Sequence, residues 1–473
     1  GTFELIVDGG AGNVLIGQMT IRVLSFIILL IGLARAEGLF RITVVDAENG
    51  WPVPMVELRT THQVSFFSDN AGLIAFDLPE LMGVETWFSV EGHGYEVKVD
   101  GFGYRGVKLT PKAGGEAIVK VVRQLPGKRL GRLTGAGLFG ESQRFGMEKD
   151  WQESGVMGCD SVQPAVHMEK MYWAWGDTSM PGYPLGLFHM TGAVTELKPM
   201  ESFEPPVRVR FDYFRDEAGK VRSIAQMAGD GPTWLGGCVS VPDAEGKERL
   251  VAIYDKIQGH LTTYERGLCV WNEEAENFEK LKVLWTRKDG GGEPPLAPNG
   301  HPVKWRDEKG REWLLFGDPF PSVKCPATFE GWGDPAQWVE LTPQKEVMSA
   351  EGRKVVPHRG AIAWNESRQR WVSVFTQKFG KPSAFGEIWY AESDEATGPW
   401  GPAVKVVTHH NYTFYNPCLH SYFTEGESGI LLFEATFTSE FADKTIPSAR
   451  YNYNQVLYRL DLNDPALAPA RKK

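Results

Sequence analysis

Four carboxylic acids lie beside strand-like segments of this chain, where they could exchange protons with a bound molecule: Asp160, Asp318, Glu387 and Glu434. Glu434 sits in the apolar run ILLFEATFT, a setting that raises a carboxyl pKa by desolvation and favours proton donation near neutral pH. Asp160 follows a Gly-Cys pair and precedes an aromatic strand. Each acid also has a structural interpretation, because Asp commonly caps turns and a Glu on an alternating strand commonly faces solvent.

The elements that would position these acids are short β-strands that recur along the chain. Five segments open with small residues, continue into a strand rich in Trp, Phe or Tyr, and lead to a second hydrophobic run; their anchors are Asp160, Cys238, His301, Arg359 and Cys418. The anchors are spaced by roughly 60–80 residues, which fits propeller blades with long loops. Gly and Pro interrupt every helical apolar period in this region. The pattern predicts an all-β chain with a five-bladed β-propeller over residues 147–464. We expect the strand VLYRLDL, or a segment just before the first blade, to complete a shared blade.

One stretch near the C-terminus carries a family resemblance. It contains IWYAES (Ile388–Ser393), then GPW (Gly398–Trp400), then Asn416 followed by Pro417 and His420. This combination resembles the signature of the five-bladed glycoside hydrolases and their relatives, which include arabinanases, xylosidases, levansucrases and invertases. The motif match is confined to the last two predicted blades.

The resemblance implies a central pocket that is lined by the openings of first strands and by the loops after second strands. The strand openings nominated for substrate binding are Trp234, Asn299, His301, His358, Arg359, Asn416 and His420. The positions nominated at the ends of second strands and the starts of third strands are Asp177, Asp255, Asp318, Gln377, Glu387 and Glu434. Asp160 matches the first-blade Asp that serves as general base or nucleophile in the family. The later openings carry no acid, so a proton donor is expected from a loop, with Glu387 or Glu434 as the best candidates.

Glycoside hydrolysis needs one carboxylic acid to protonate the leaving oxygen and one carboxylate to activate water or attack the sugar. The resemblance therefore implies an exported glycosidase that acts on an oligo- or polysaccharide. Two alternatives stay open, a non-catalytic carbohydrate- or surface-binding propeller and a polysaccharide lyase that uses Tyr, His or Arg. His358 and Arg359 could clamp an anionic sugar or form plain ion pairs. The sequence indicates no cofactor and no metal ligands, gives no support for a structural Ca²⁺ at the propeller centre, and predicts a monomer.

Residues 37–124 predict a separate β-sandwich of short strands with turn residues at regular intervals. The segments Val45–Val56 and Ser68–Gly72, with the Gly-Tyr pair at Gly94, resemble the carboxypeptidase regulatory-like, transthyretin-like sandwich. That resemblance implies a structural or adhesive module without catalysis, so its deletion is expected to leave propeller activity within a few-fold. His93, in a Gly-flanked turn, is expected to face solvent.

Composition and targeting signals limit the partners. The formal charge is −10 and no basic run occurs outside the last three residues, which argues against nucleic acid as a partner. Residues 19–36 resemble an export signal, with an apolar core too short for a permanent membrane span and a small-x-small cleavage site, and residues 1–18 are upstream of it. We therefore expect export to the periplasm or the cell exterior.

The remaining segments and the cysteines complete the domain prediction. The Gly-, Arg- and Lys-rich residues 125–146 are predicted as a linker, and residues 465–473 as a disordered tail. The five cysteines are odd in number and scattered, which predicts small buried residues rather than a disulfide framework.

Overall fold

The structure is a computed structural model that describes residues 38–147, 155–187, 189–197, 203–288, 291–380, 383–423, 429–440, 442 and 446–471. Most of its elements are β-strands, as the all-β prediction requires. In the described ranges the helical elements are α1 (Gly140–Arg144), α2 (Phe329–Gly333) and 3-10 turns at Pro79–Leu81, Pro335–Gln337, Ser421–Phe423 and Pro465–Arg471. Within the described ranges, no helix has the length and hydropathy needed to cross a membrane. The predicted export signal lies outside the described residues.

Eight N-terminal strands form two four-stranded sheets: β1 (Phe40–Asp46), β2 (Glu57–Thr60), β3 (Ser65–Phe67), β4 (Leu73–Phe76), β5 (Thr86–Glu91), β6 (Tyr95–Glu96), β7 (Gly106–Leu109) and β8 (Glu116–Arg123). The strand orders are β4-β1-β8-β6 and β3-β2-β5-β7. Burial alternates along β1, because successive side chains of a strand point to opposite faces. Ile42 of the first sheet shares a buried core with Leu58 and Phe88 of the second. We call residues 40–123 the N-terminal sheet pair.

The described residues after this pair form five four-stranded antiparallel sheets, numbered here in chain order. Sheet 1 contains β11 (Gln163–His167), β12 (Lys170–Trp175), β15 (Thr191–Glu196) and β16 (Asp212–Tyr213). Sheet 2 contains β17 (Thr233–Pro242), β18 (Glu248–Gln258), β19 (Thr262–Asn272) and β20 (Asn277–Thr286). Sheet 3 contains β21 (His301–Arg306), β22 (Glu312–Gly317), β23 (Pro321–Pro326) and β24 (Val339–Glu340). Sheet 4 contains β27 (Pro357–Asn365), β28 (Arg370–Gln377), β29 (Glu387–Ser393) and β30 (Val404–Thr408). Sheet 5 contains β31 (Thr413–Leu419), β32 (Ile430–Thr438), β33 (Asn454–Asp461) and β9 (Lys128–Arg132). Two small sheets join β10 (Gly158–Cys159), β13 (Thr178–Met180) and β14 (Tyr183–Leu187), and β25 (Val347–Met348) with β26 (Lys354–Val355).

The first strands of neighbouring sheets lie against one another in chain order, from β11 to β17, β21, β27 and β31. Four sequence anchors fall on first strands, and the fifth, Asp160, lies just before β11. The last sheet also returns to the first, since the backbone N–H of Ser161 donates to Thr436 Oγ1 at 3.1 Å and the Asn416 side chain donates to the Ser161 hydroxyl. We call this contact the seam between sheets 5 and 1.

The predicted linker, residues 125–146, contains a strand instead. Its residues Lys128–Arg132 form β9, which pairs with β33 and becomes the outer strand of sheet 5. The Gly-, Arg- and Lys-rich composition of this segment predicted a linker, but Arg129 and Arg132 are buried. The pairing covers a strand edge that would otherwise be open to another chain.

The N-terminal sheet pair is joined to sheet 5 by buried polar contacts. The Arg129 guanidinium donates to three backbone carbonyls of the sheet pair at 2.7–3.1 Å. The Asn70 side chain donates to the Arg132 carbonyl at 2.8 Å and accepts from the Arg132 backbone N–H at 2.9 Å. Met55 belongs to the hydrophobic core of sheets 4 and 5. The N-terminal sheet pair and sheet 5 therefore provide the hydrogen bonds that each other's buried polar groups need.

The prediction of a solvent-facing His93 is wrong. Its ring stacks on His409 with centroids 3.8 Å apart and an interplanar angle of 16°, and both residues are buried. Burial, with smaller effects of Arg129 and His410, lowers the pKa of His93 to about 3. The Gly-flanked turn places this ring between the N-terminal sheet pair and the segment after β30.

The predicted tail is ordered over residues 465–471, and residues 472–473 lie outside the described residues. Leu467 and Ala470 pack into the core of sheets 4 and 5, so apolar burial fixes a segment that composition alone suggested was free. All five cysteines are buried and free, as their small size and scattered positions predict.

Candidate active site

A cavity of about 890 Å³ is lined by residues from all five sheets. Ten of the sequence-predicted residues line it: Asp160, Asp177, Trp234, Asp255, Asn299, His301, Asp318, His358, Arg359 and Asn416. Seven of them lie at or near the starts of first strands, and Asp177, Asp255 and Asp318 lie on or just after second strands. These strand openings meet at the cavity, and their polar side chains form its wall.

Asp160 is held between sheet 1 and sheet 5. Its backbone N–H donates to the Asp177 carbonyl at 3.2 Å, and the Gly176 N–H donates to the Asp160 carbonyl at 2.8 Å. Its carboxylate accepts hydrogen bonds from the hydroxyls of Tyr415 and Tyr453. Gly176 is required for this arrangement, because a Cβ there would lie 2.2 Å from Asp160 Oδ1.

Asp160 and Asp177 form a pair of carboxyl groups on the cavity wall. Burial raises the pKa of Asp160 to about 7; hydrogen bonds from the tyrosines oppose the rise and repulsion from Asp177 adds to it. Burial also raises the pKa of Asp177, against a hydrogen bond from Trp234. Among the described residues, neither carboxylate has a Lys, Arg or His ion-pair partner. Two neighbouring like charges, one buried and one half-buried, resist simultaneous ionisation, so this pair retains a proton more readily than ordinary carboxylates.

Two other acids of the cavity wall are paired with arginines. Asp255 accepts two hydrogen bonds from Arg266, Nε to Oδ1 and Nη2 to Oδ2, each 2.8 Å long. Asp318 forms an ion pair with Arg359 and accepts the Gly360 backbone N–H at 2.8 Å. Both groups are thus ion-paired with an arginine, whereas Asp160 and Asp177 have no such pair among the described residues.

The wall formed by sheets 3 and 4 carries two neutral histidines and one cation. Burial and the neighbouring Arg359 lower the pKa of His358 to about 4, and its ring stacks on Phe385 at 4.3 Å. Burial also lowers the pKa of His301. Arg359 carries the charge on this wall, and Asp318 neutralises it. The plain ion-pair interpretation of Arg359 thus fits better than an anion clamp built with His358.

Glu434 and His420 do not line the cavity. Glu434 lies on the same face of β32 as Leu432, which packs in the core between sheets 5 and 1 with Trp173. Its Oε1 is 2.7 Å from His420 Nε2, and both side chains are fully buried. The apolar surroundings seen in the sequence are therefore those of a core between sheets.

Glu387 and Gln377 also lie outside the cavity lining. Glu387 begins β29, is buried, and forms an ion pair with Lys405 of the neighbouring strand β30. The two loop acids expected from the sequence are thus replaced at the cavity by Asp177, which follows the second strand of sheet 1.

Tyr415 and Tyr453 are the residues that sequence reasoning missed. Tyr415 directly precedes the nominated Asn416, so its neighbour could have drawn attention to it. Tyr453 comes from the loop before β33 and has no such signal. No group of three or more His, Cys, Asp or Glu side chains in the described parts of the chain is arranged to hold a metal ion.

No family model matches the chain, and no curated protein matches it. Distant similarity to solved structures is found. An exo-1,5-α-L-arabinanase from a bovine ruminal metagenomic library has 12% identity and a TM-score of 0.37 over 65% of this chain and 94% of its own. An N-acetylgalactosamine deacetylase from F. plautii, in complex with blood group B trisaccharide, has 11% identity and a TM-score of 0.41 over 73% and 97%. A family 43 glycoside hydrolase from Bacillus licheniformis has 10% identity and a TM-score of 0.35 over 64% and 71%. Values this low assign neither an activity nor a substrate to this chain.

Proposed function

We propose that this protein is an exported glycosidase that hydrolyses an oligo- or polysaccharide in the cavity between the five sheets. The observation that carries the proposal is the Asp160–Asp177 pair, two desolvated carboxyl groups on one cavity wall without cationic partners among the described residues. Perturbed acids in a cleft are a physical indicator of acid–base chemistry. The cavity, at about 890 Å³, is in the size range of ligand sites and large enough for more than one sugar ring.

The architecture in this proposal is a five-bladed β-propeller preceded by a carboxypeptidase regulatory-like β-sandwich. Sheets 1 to 5 are the blades, and β9 closes the last blade. The N-terminal sheet pair is the sandwich, and its role is to support the propeller rather than to bind substrate. The protein acts as a monomer in the periplasm or outside the cell.

The two acids divide the work of hydrolysis. Asp177 donates a proton to the glycosidic oxygen, and the bond from that oxygen to the anomeric carbon breaks. Asp160 accepts a proton from the water whose oxygen bonds to the anomeric carbon. Repulsion within the pair favours one neutral and one charged carboxyl, and the hydrogen bonds from Tyr415 and Tyr453 favour the charge on Asp160.

A lyase mechanism based on tyrosine finds less support in this cavity. It would need Tyr415 or Tyr453 as the base that removes a proton from the sugar ring. Burial and the charge of Asp160 raise the pKa of both tyrosines. Hydroxyls that resist ionisation are poor bases but good hydrogen-bond donors.

A panel of polysaccharides, assayed for released reducing ends, tests the proposal. The wild type should release sugar from at least one substrate, and Asp160→Asn and Asp177→Asn should each lose at least about a hundredfold in turnover. On a nitrophenyl glycoside, whose leaving group needs no protonation, Asp177→Asn should regain activity and Asp160→Asn should not. Rescue of the Asp160 variant alone would reverse the two roles.

Glu434→Gln is the matched control, because Glu434 is a buried acid outside the cavity. It should retain turnover while it is folded. Wild-type binding to a glycan without any release of reducing ends would indicate a carbohydrate-binding propeller. An unsaturated product, seen by its ultraviolet absorbance, would indicate a lyase.

A further inference from the structure

Two tyrosines from sheet 5 reach across the seam to Asp160. The Tyr453 hydroxyl donates to Asp160 Oδ2 at 2.8 Å, and the Tyr415 hydroxyl donates to the same oxygen. Both tyrosines line the cavity. They lie 255 and 293 residues from Asp160 in the chain, so this contact forms only when the last sheet meets the first.

The other carboxylate oxygen has no comparable support. Asp160 Oδ1 is buried, and no hydrogen-bond partner for it is present in the described part of the chain. It packs against Gly176, where a Cβ would lie 2.2 Å from it. Both side-chain donors to this carboxylate are therefore tyrosine hydroxyls on a single oxygen.

Three residues at the same place have strained backbone conformations. Ser161, Asn416 and Tyr453 have left-handed backbone conformations, with φ of 51°, 48° and 61°. Such values are uncommon for residues other than glycine and are least favourable for bulky ones such as Tyr. Strain of this kind persists where surrounding interactions over-determine it, and it clusters at functional sites. The hydrogen bond from Tyr453 to Asp160 is one of the interactions that hold this strained loop.

We propose that Tyr415 and Tyr453 are positioning residues for Asp160, which fix one oxygen of its carboxylate and keep this buried acid able to ionise. The inference rests on the proposed role of Asp160 in proton transfer. Burial raises the pKa of Asp160 and the Asp177 charge adds to the rise, while both hydroxyls oppose it. The same surroundings keep the hydroxyls protonated, so they remain donors. The tyrosines thereby set the pH above which Asp160 can accept a proton.

The test uses Tyr415→Phe and Tyr453→Phe, which remove one hydroxyl each and keep the ring. Tyr422→Phe is the control, because the Tyr422 hydroxyl lies 2.6 Å from His420 Nδ1 and its ring packs against the core between sheets 5 and 1, outside the cavity lining. The ionisation of Asp160 is followed by infrared titration of its carboxyl band, which is assigned by its disappearance in Asp160→Asn. The acid limb of the pH profile of kcat/KM is measured in parallel.

Each tyrosine variant should move the Asp160 midpoint and the acid limb upward by about one pH unit, the value of one lost hydrogen bond to a charged group. The control should leave both unchanged. Midpoints in both folded tyrosine variants that match the wild type would overturn the inference, whatever the activity. A shifted midpoint in a protein that releases no sugar from any glycan would refute the proposed function and support the role of the tyrosines.

Discussion

Replacing Asp160 by Asn should lower activity and raise stability at the same time. The side chain keeps its shape but can no longer accept a proton, so turnover should fall by at least about a hundredfold. The carboxyl is also costly to ionise where it lies, since its pKa rises from 3.8 in its ordinary range to about 7. That difference corresponds to about 4 kcal/mol of lost stability above pH 7.

The pH dependence has a definite sign. An acid whose pKa is raised by folding loses stability as the pH rises from the unfolded value to the folded value, here from about 4 to about 7. Asn carries no such dependence. The stability of the variant relative to the wild type should therefore grow by about 1.4 kcal/mol per pH unit between pH 5 and pH 7, and should stay constant above. An unsatisfied amide N–H₂ at the buried Oδ1 position subtracts about 1–3 kcal/mol at all pH values.

Urea denaturation of both proteins at pH 5, 6, 7 and 8 measures this difference, and thermal melts give an independent check. A difference in unfolding free energy that does not change with pH would show that Asp160 ionises freely in the folded protein. Near-normal turnover of the variant would show, separately, that Asp160 is not the base. Either result would refute the reasoning from burial to catalysis.

Three further predictions concern the rest of the molecule. Glu434→Gln should lower the melting temperature, because the fully buried acid bonds its histidine partner at 2.7 Å, yet it should retain cavity activity in the assay of released reducing ends. Deletion of residues 38–124 should yield a protein that fails to fold cooperatively by circular dichroism, because Arg129 would lose three carbonyl acceptors; a soluble, active truncation would contradict this and restore the sequence expectation. Acid should destabilise the protein at the contact between His93 and His409, since burial holds the pKa of both rings well below the ordinary value. Their contribution to the free energy of unfolding is complete above pH 6.5 and is lost as the pH falls towards about 3. His409→Phe should reduce the loss of stability between pH 7 and pH 5 seen in denaturant titrations, and an unchanged loss would exclude the pair as its source.

The sequence by itself determined the local features of this protein. Short aromatic strands after small residues predicted the first strands that carry His301 and Arg359, because alternation and turn residues act over a few positions. It also predicted buried cysteines and placed Asp160 at a strand opening. These properties depend on near neighbours in the chain, which is why they could be derived without a structure.

Only the tertiary structure decided which residues meet. Tyr453 directly precedes a strand of sheet 5, the last sheet in the chain, and its hydroxyl donates to Asp160 beside sheet 1. No local sequence pattern specifies a contact across 293 residues. Glu434 looked like a desolvated catalytic acid, but the face of β32 that carries it packs into the core between two sheets rather than towards the cavity. Arg129 was predicted to lie in a linker, but in the structure it is buried and donates to three carbonyls of the N-terminal sheet pair. In each case the environment of the polar group is built by distant segments, and burial, which sets both pKa and hydrogen bonding, is a property of the assembled fold.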